Sequence, residues 1–207
     1  KRYGYDWAGL YLIATFPSRH YDIEMFPAVK RYLLSFGIER LEQTGKTHIV
    51  NGKNVKARKK TNNKWFETQD SISYWEDFLR PKIVWKRVGS ILRFCYNNNG
   101  ALGLDSTCFA TGKNIEFICC VLNSPMGHYL LKDAPKTGTG DLLISVQAVE
   151  PIKIPMITKE QNFIFEEALK ELIDYSSTEK EKEISHKVFD LYNLSHDEQK
   201  YIENNFT

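Results

Sequence analysis

Lysine and arginine are the residues of this sequence whose number and spacing most clearly indicate a chemical role. From Lys46 to Arg93, lysine and arginine clearly outnumber aspartate and glutamate, although the net charge of the 207-residue chain is only +2. Ammonium and guanidinium groups hydrogen-bond to phosphate and carboxylate oxygens, so a polyanionic partner is expected to dock along this stretch. The residue types therefore indicate binding of a partner more strongly than catalysis.

The motifs for catalysis along the chain are incomplete. Gly45-Lys46-Thr47 resembles the end of a phosphate-binding loop, but Arg40 occupies the position where that motif requires glycine. Thr137-Gly-Thr-Gly140 lacks the third glycine of a dinucleotide-binding fingerprint. No Gly-x-Ser-x-Gly motif for acyl transfer occurs. The sequence therefore predicts no active site of these three kinds.

A metal-dependent nuclease is a weaker alternative. Asp141 with Glu150 and Lys153 approaches the required pattern of an acidic residue followed by acidic-x-Lys. One residue too many separates Glu150 from Lys153, and Pro151 makes a shared strand face improbable. The five histidines form no i,i+4 pair and lie beside no cysteine cluster. The sequence predicts no metal site.

The cysteines and the hydropathy pattern bear on the compartment. Cys119 and Cys120 lie in an apolar run, and the four cysteines include no Cys-x-x-Cys pair, which predicts buried, reduced thiols typical of a cytoplasmic protein. No apolar run is long enough to cross a bilayer, and no signal peptide opens the chain, so no membrane partner is expected. Because Lys1 is not methionine, the chain is expected to be part of a longer protein.

The first third of the chain is expected to hold a strand, a helix and a hairpin. The apolar run at residues 9–15 predicts a buried strand, and Pro27 opens a helix that is expected to continue through Leu41 despite Gly37. Asn51-Gly52 predicts a type I′ turn in a hairpin over residues 47–56. The polar residues that follow, up to Lys64, predict a loop.

The middle third predicts strands and one apolar helix. Strands over residues 81–88 and 91–96, then a turn at 97–100 and extended residues 101–105, predict a short antiparallel meander. Helical spacing of apolar residues predicts a helix over residues 114–123.

The last third predicts a helical tail. A flexible loop at residues 136–140 and short extended pieces at 142–144 and 152–154 precede two capping boxes, Thr158–Gln161 and Ser195–Glu198. The expected fold class is α+β, with a small mixed or antiparallel twisted sheet, flanking helices and a C-terminal helical tail.

Aromatic-led segments in the middle of the chain carry a family resemblance. They read Lys64-Trp-Phe-Glu-Thr-Gln-Asp70, Tyr74-Trp-Glu-Asp-Phe78 and Arg80-Pro-Lys-Ile-Val-Trp85. This order resembles the C-terminal specificity domain of TaqI-like and Eco57I-like adenine methyltransferases, in which a tryptophan-led segment precedes a Lys-Pro-Lys-Ile strand. The later segments 117–124, 136–140 and 151–157 are similar to the end of a type I specificity-subunit recognition domain. The resemblance covers roughly residues 10–174.

The resemblance implies a function and a domain division. Residues 1–157 would be a target-recognition domain that binds double-stranded DNA sequence-specifically in a bacterial restriction-modification system. Residues 158–207 would pack on that domain or on a methyltransferase domain upstream in the same chain. These families hold their S-adenosylmethionine loop and an Asn-Pro-Pro-Tyr/Phe motif in the upstream domain, and neither occurs here. This chain is therefore expected to be no enzyme and to bind no cofactor, whereas the parent would methylate adenine N6.

The resemblance assigns DNA-contact roles to two basic groups. Lys59, Lys60 and Lys64 would contact phosphates, although a solvated hairpin flank also explains them. Residues beside the Gly89-Ser90 turn would contact phosphate or guanine, with Lys86 and Arg93 converging there; simple exposed strand residues are the alternative. This second group comprises Lys86, Arg87 and Arg93.

Two further groups are candidates on the same resemblance. Asn98 would pair with an adenine edge, although turn chemistry alone explains it. Lys136, Thr137 and Thr139 lie in a loop whose glycines permit close backbone approach to DNA, and a plain connection is the alternative. The three tryptophans Trp65, Trp75 and Trp85 are expected to pack in the protein. A protein-interaction module without DNA contact stays open beside the nuclease.

Overall fold

Contacts within the chain divide it into two units. A computed structural model describes residues 1–206. The main unit comprises Lys1–Trp7 and the chain from Glu76 onward, and the small unit comprises Ala8–Trp75. Helices flank small antiparallel sheets, which confirms the predicted α+β class. The division falls after residues 7 and 75, whereas the boundary expected from the sequence lay after residue 157.

Two small sheets form in the main unit. Strand β3 (Lys82–Lys86) lies between β5 (Phe94–Asn97) and β6 (Thr107–Thr111) and pairs antiparallel with both. A second sheet joins β4 (Val88–Gly89) to β7 (Leu142–Leu143). β3 occupies the centre because its side chains Ile83 and Trp85 are buried, and burial of each large apolar side chain stabilises a fold by roughly 2 kcal/mol.

Six helices of the main unit surround one apolar core. They are α3 (Ile115–Asn123), α4 (Pro125–Leu130), α5 (Val146–Val149), α6 (Lys159–Asp174), α7 (Thr178–Leu191) and α8 (His196–Asn205). Helix α3 is apolar nearly all round and is buried, as such a pattern predicts. It packs against α6, where the Phe117 and Phe165 rings lie 4.8 Å apart. The helical tail therefore completes the core of the main unit.

A buried amide ties α3 to the sheet. Asn123 Oδ1 accepts a hydrogen bond from Phe94 N at 3.0 Å, and Asn123 Nδ2 donates to Phe94 O at 2.6 Å. The side chain thus satisfies both backbone groups of Phe94 as a neighbouring strand would. Tyr3 N also donates to Phe94 O at 3.0 Å, so loss of the Asn123 side chain would mainly deprive the Phe94 N–H of its acceptor, at a cost of about 1–3 kcal/mol.

The strand order of the main unit differs from the predicted meander. β6 lies on the far side of β3, and residues 101–105 form no strand. After β5 the chain crosses to the other edge of β3, so β3 is paired along both of its edges. Residues 152–154 also form no strand, and α5, which was not predicted, precedes them.

The small unit holds two short helices and a hairpin. Two 3₁₀ turns (Pro17–Arg19 and Ile23–Met25) precede α1 (Pro27–Leu34) and α2 (Ile38–Leu41), and β1 (Thr47–Val50) pairs antiparallel with β2 (Lys53–Lys56). Asn51 (φ 50°) and Gly52 (φ 75°) both adopt the left-handed conformation that a type I′ turn requires. The hairpin prediction is confirmed.

Two predictions for the small unit are wrong. Residues 9–15 form no strand, and the Leu10 side chain is 77% exposed. The helix that begins at Pro27 ends at Leu34, since Gly37 (φ 86°) leaves the helical region and α2 begins after it.

Within residues 1–206, no helix is both long and apolar enough to cross a membrane.

Candidate nucleic-acid interface

The small unit carries an uninterrupted basic segment, residues 46–64. Between Glu42 and Glu67 the sequence has seven lysines and arginines and no acidic residue. Six of the seven are exposed lysines: Lys46, Lys53, Lys56, Lys59, Lys60 and Lys64. Within the described part of the chain none of the six forms an ion pair, so their charge is not neutralised by the protein.

Arg58, the seventh cation, points inward and holds the segment in place. Its Nε donates to Leu41 O at 2.8 Å, Nη1 donates to Glu67 O at 2.9 Å, and Nη2 donates to Trp65 O. Burial lowers the pKa of this guanidinium, but an arginine stays protonated at physiological pH. Charged donors to carbonyls are strong hydrogen bonds. Arg58 therefore links the end of α2 to the residues that follow the segment.

Gln43 also holds the end of the loop that follows β2. Its buried Nε2 donates to Lys64 O at 2.9 Å and to Glu67 O at 2.8 Å, and its Oε1 accepts from Thr61 Oγ1 at 2.6 Å. The Lys64 ammonium lies 5.6 Å from the centre of the Phe66 ring. The loop after β2 is therefore held at its base by buried polar contacts, while Lys59 and Lys60 stay exposed.

The main unit brings together two groups that the sequence separates by more than forty residues. Leu142 pairs with Gly89 on one side and with Lys136 on the other, so β4 and the 136–140 turn meet at the β4–β7 sheet. Gly89, predicted to lie in a turn, is therefore a residue of β4. Trp85 and Phe94 form the last pair of the β3–β5 ladder, and Lys86 and Arg93 are the next residues beyond it. All four cations of this region, including Arg87, are exposed.

The 136–140 turn is ordered by its own hydrogen bonds. Gly140 N donates to Thr137 O at 2.9 Å, and Thr137 N donates to Asp141 O at 2.8 Å. The Thr137 and Thr139 hydroxyls lie 2.8 Å apart, and Thr139 also donates to Asp141 Oδ2 at 3.2 Å. These hydroxyls already bond to each other and to a carboxylate. Of the three candidate residues in this turn, Lys136 is therefore the one best placed to contact a ligand.

Asn98 lies apart from the other candidates of the main unit. It follows β5, whereas Arg93 precedes that strand, so about 17 Å of extended chain separates them at ~3.4 Å per residue. Asn98 lines a cavity together with the carboxylates of Glu116 and Glu166. The structure therefore does not bring Asn98 next to the cations of the β4–β7 sheet.

The buried ionisable groups have structural partners. Lys82 is fully buried, and its Nζ donates to Phe78 O at 2.7 Å and to Asn97 Oδ1 at 3.2 Å; burial lowers its pKa. Burial also raises the pKa of the Cys119 and Cys120 thiols, which are buried and unbridged, as predicted. Trp85 is buried as well, and its Nε1 donates to Ile144 O at 2.8 Å.

The residues of the nuclease alternative are spread over a turn and a short helix end. The Asp141 carboxylate accepts from Thr139, Glu150 follows α5, and Lys153 is exposed. Among the residues that the structure describes, no three His, Cys, Asp or Glu side chains are grouped so that they could hold a metal ion.

No protein-family model matches this chain, and no curated protein sequence matches it significantly.

Sequence reasoning missed half of the exposed lysines in the basic segment. It singled out Lys59, Lys60 and Lys64 but not Lys46, Lys53 and Lys56, which lie on or beside the hairpin strands. The complete absence of acidic residues between Glu42 and Glu67 was the available signal. The β4–β7 pairing had no comparable signal, because two-residue strands carry no readable alternation.

Proposed function

We propose that this chain binds double-stranded DNA sequence-specifically, as the target-recognition part of a restriction-modification adenine methyltransferase. The observation that carries the proposal is the basic segment, whose six exposed lysines have no acidic partner in the described structure. Unpaired ammonium groups release condensed counterions when they meet DNA phosphates, and this release supplies most of the sequence-independent affinity.

The hairpin suits a duplex in shape as well as in charge. A two-stranded ribbon fits the major groove of B-DNA, which is about 12 Å wide. β1 and β2 form such a ribbon, with Lys53 next to its turn and Lys56 at its end. Since Arg58 and Gln43 hold the following loop at its base, the lysines would meet phosphates without first ordering a loose chain.

The β4–β7 sheet supports a second contact. Lys86, Arg87, Arg93 and Lys136 lie on or beside the strands that pair there, and arginine and lysine are the residues that most often read guanine through O6 and N7. Grip on the phosphates and on base edges would help to offset the few kcal/mol needed to swing an adenine out of the stack. In this proposal an upstream methyltransferase domain binds S-adenosylmethionine and performs the transfer, and this chain binds no cofactor and catalyses no reaction.

A salt titration of the intact chain with a fluorescent duplex tests the DNA proposal. If all six lysines contact phosphates, the logarithm of the association constant falls with the logarithm of salt concentration with a slope of about −5. Selection from a random duplex pool then tests specificity, and we expect enrichment of one short sequence. Indifference to DNA at low salt, or binding that salt does not weaken, would contradict the proposal.

Exposed apolar side chains favour a protein-interaction module as the second candidate. In the small unit Leu10, Tyr11, Met25 and Phe26 are 77%, 86%, 74% and 45% exposed. They lie in two short stretches, residues 10–11 and 25–26, and a contiguous exposed apolar patch is typical of a surface that another protein covers. Changing Leu10 and Met25 to serine should leave DNA binding intact and abolish association with an upstream domain. If the variant lost DNA binding alone, these apolar side chains would not form a protein-interaction surface separate from the DNA contacts.

A further inference from the structure

A cavity of about 530 Å³ lies in the main unit, beside Asn98 and Asn99 at the C-terminal end of β5. Aromatic side chains of Tyr5, Trp7 and Tyr96 line it, together with the carboxylates of Glu116, Glu166 and Asp174. Its volume is in the range of small-molecule sites in proteins. Its lining therefore combines flat aromatic surfaces with negative charge.

The lining of this cavity carries a net negative charge. Three of its residues are acidic (Glu116, Glu166 and Asp174) and one, Lys170, is basic, and the Lys170 ammonium lies closest to Glu167, at 2.6 Å from Oε1. Glu116 accepts a hydrogen bond from the Tyr96 hydroxyl at 2.6 Å. Burial raises the pKa of Tyr96, and the nearby Glu116 and Glu166 raise it further. The carboxylates thus make the interior of the cavity unfavourable for another negative group.

The aromatic walls are fixed by the N-terminal residues. Tyr3 N donates to Phe94 O at 3.0 Å, and Tyr96 N donates to Tyr3 O at 2.7 Å, so this segment runs beside β5. The Tyr5 hydroxyl donates to Asn99 Oδ1. A wall that is already ordered spares a ligand the conformational entropy of arranging it.

We propose that this cavity binds an organic cation, an alkylammonium or guanidinium group carried by a free amine or by a lysine or arginine side chain. Aromatic faces attract such cations through their quadrupole, and the half-buried carboxylates of Glu116 and Glu166 add a charge-assisted contact. Phosphates and carboxylates would be repelled by Glu116, Glu166 and Asp174. The proposal does not depend on DNA binding, because no cation of the basic segment lines the cavity.

Calorimetry on the intact chain tests the charge requirement. Choline and 3,3-dimethylbutanol have the same shape and differ in charge, and a blocked Gly-Lys-Gly peptide represents the side-chain source of the cation. We expect choline or the peptide to bind saturably, and the neutral alcohol to bind at least about tenfold more weakly. Whichever of choline and the peptide binds more tightly identifies the source.

Variants locate the binding. The double change Glu166→Gln and Asp174→Asn, and separately Trp7→Leu, should each weaken cation binding at least about fivefold, whereas Glu160→Gln on the first turn of the same helix should not change it. Thermal melting checks that each variant is folded, and Trp7→Leu keeps the test open if the double variant is not. The proposal is overturned if no cation binds below about 10 mM, if the neutral alcohol binds equally, or if Glu160→Gln weakens binding as much as the others.

Discussion

The basic segment of the small unit and the helical segment of the main unit, residues 158–206, each contain six lysines. In the helical segment those lysines lie among twelve acidic residues, and in the basic segment they lie among none. Lys170, Lys180 and Lys187 pair with glutamates, at distances from 2.6 to 3.7 Å. No lysine of residues 46–64 has such a pair in the described structure.

Under the proposed function, this difference separates lysines that pair within the fold from lysines that are available to a polyanionic partner. Pairs three or four residues apart on a helix contribute about 0.2–0.5 kcal/mol each, and they leave little net positive field. Unpaired lysines close together repel one another, which destabilises the folded state slightly unless a polyanion is bound. The basic segment tolerates this repulsion because Arg58 and Gln43 donate hydrogen bonds to backbone carbonyls at its base.

The largest expected effect is on DNA affinity. Changing Lys59, Lys60 and Lys64 together to glutamine should weaken duplex binding on the order of 100-fold at 0.1 M salt and make the salt slope shallower by about 3, because three phosphate contacts are lost. Fluorescence anisotropy measures both quantities.

The helical segment supplies the matched control for this change. Lys159, Lys182 and Lys200 are exposed and unpaired in the described structure, and changing them to glutamine removes the same charge. This variant should bind DNA within about twofold of the original chain. Equal losses in the two triple variants would mean that net charge alone matters and would remove the distinction between the segments.

The next largest effect is on stability. Arg58→Met should lower the free energy of unfolding by about 3 kcal/mol, because the carbonyls of Leu41, Trp65 and Glu67 lose their charged donor. Lys180→Met, which removes the solvent-screened pairs with Glu171 and Glu183, should lower it far less. Urea denaturation gives both values. Similar losses would show that Arg58 acts as an ordinary surface cation.

Lysine acetylation followed by mass spectrometry gives a smaller but more local effect. Saturating duplex should slow modification of Lys53, Lys56, Lys59 and Lys60 by about fivefold, because phosphates then cover the ammonium groups. Lys182 and Lys200 should react at unchanged rates. Protection of the helical lysines instead would mean that DNA contacts the helical segment, which would contradict the proposal.

The smallest expected effect is that of salt on local stability. Raising NaCl from about 0.05 to 0.5 M shortens the screening length to a few ångströms, so repulsion within the basic segment and attraction within the helical pairs both weaken. Hydrogen exchange should become slower at amides of β1 and β2 and faster at amides near Lys180, each by the equivalent of about 0.5 kcal/mol. Shifts of the same sign in both segments would contradict the comparison.

Local chemistry in the sequence was sufficient for several elements. Asn51 and Gly52 predicted the hairpin turn, and Thr158 and Ser195 predicted the starts of α6 and α8, where both capping boxes form. The exposure of Lys59, Lys60 and Lys64 also followed from their polar surroundings. Each of these features depends on backbone angles and hydrogen bonds within about four residues, so neighbouring residues are enough to specify it.

Other features depended on residues far apart in the chain. The order β5-β3-β6, the burial of Lys82 between Phe78 and Asn97, and the inward course of Arg58 have no local signature. The same is true of residues 9–15, whose apolar run predicted a strand that does not form. A strand or a buried charge is stable only where distant segments supply its hydrogen bonds, and which segments meet depends on the apolar surface that the whole chain buries.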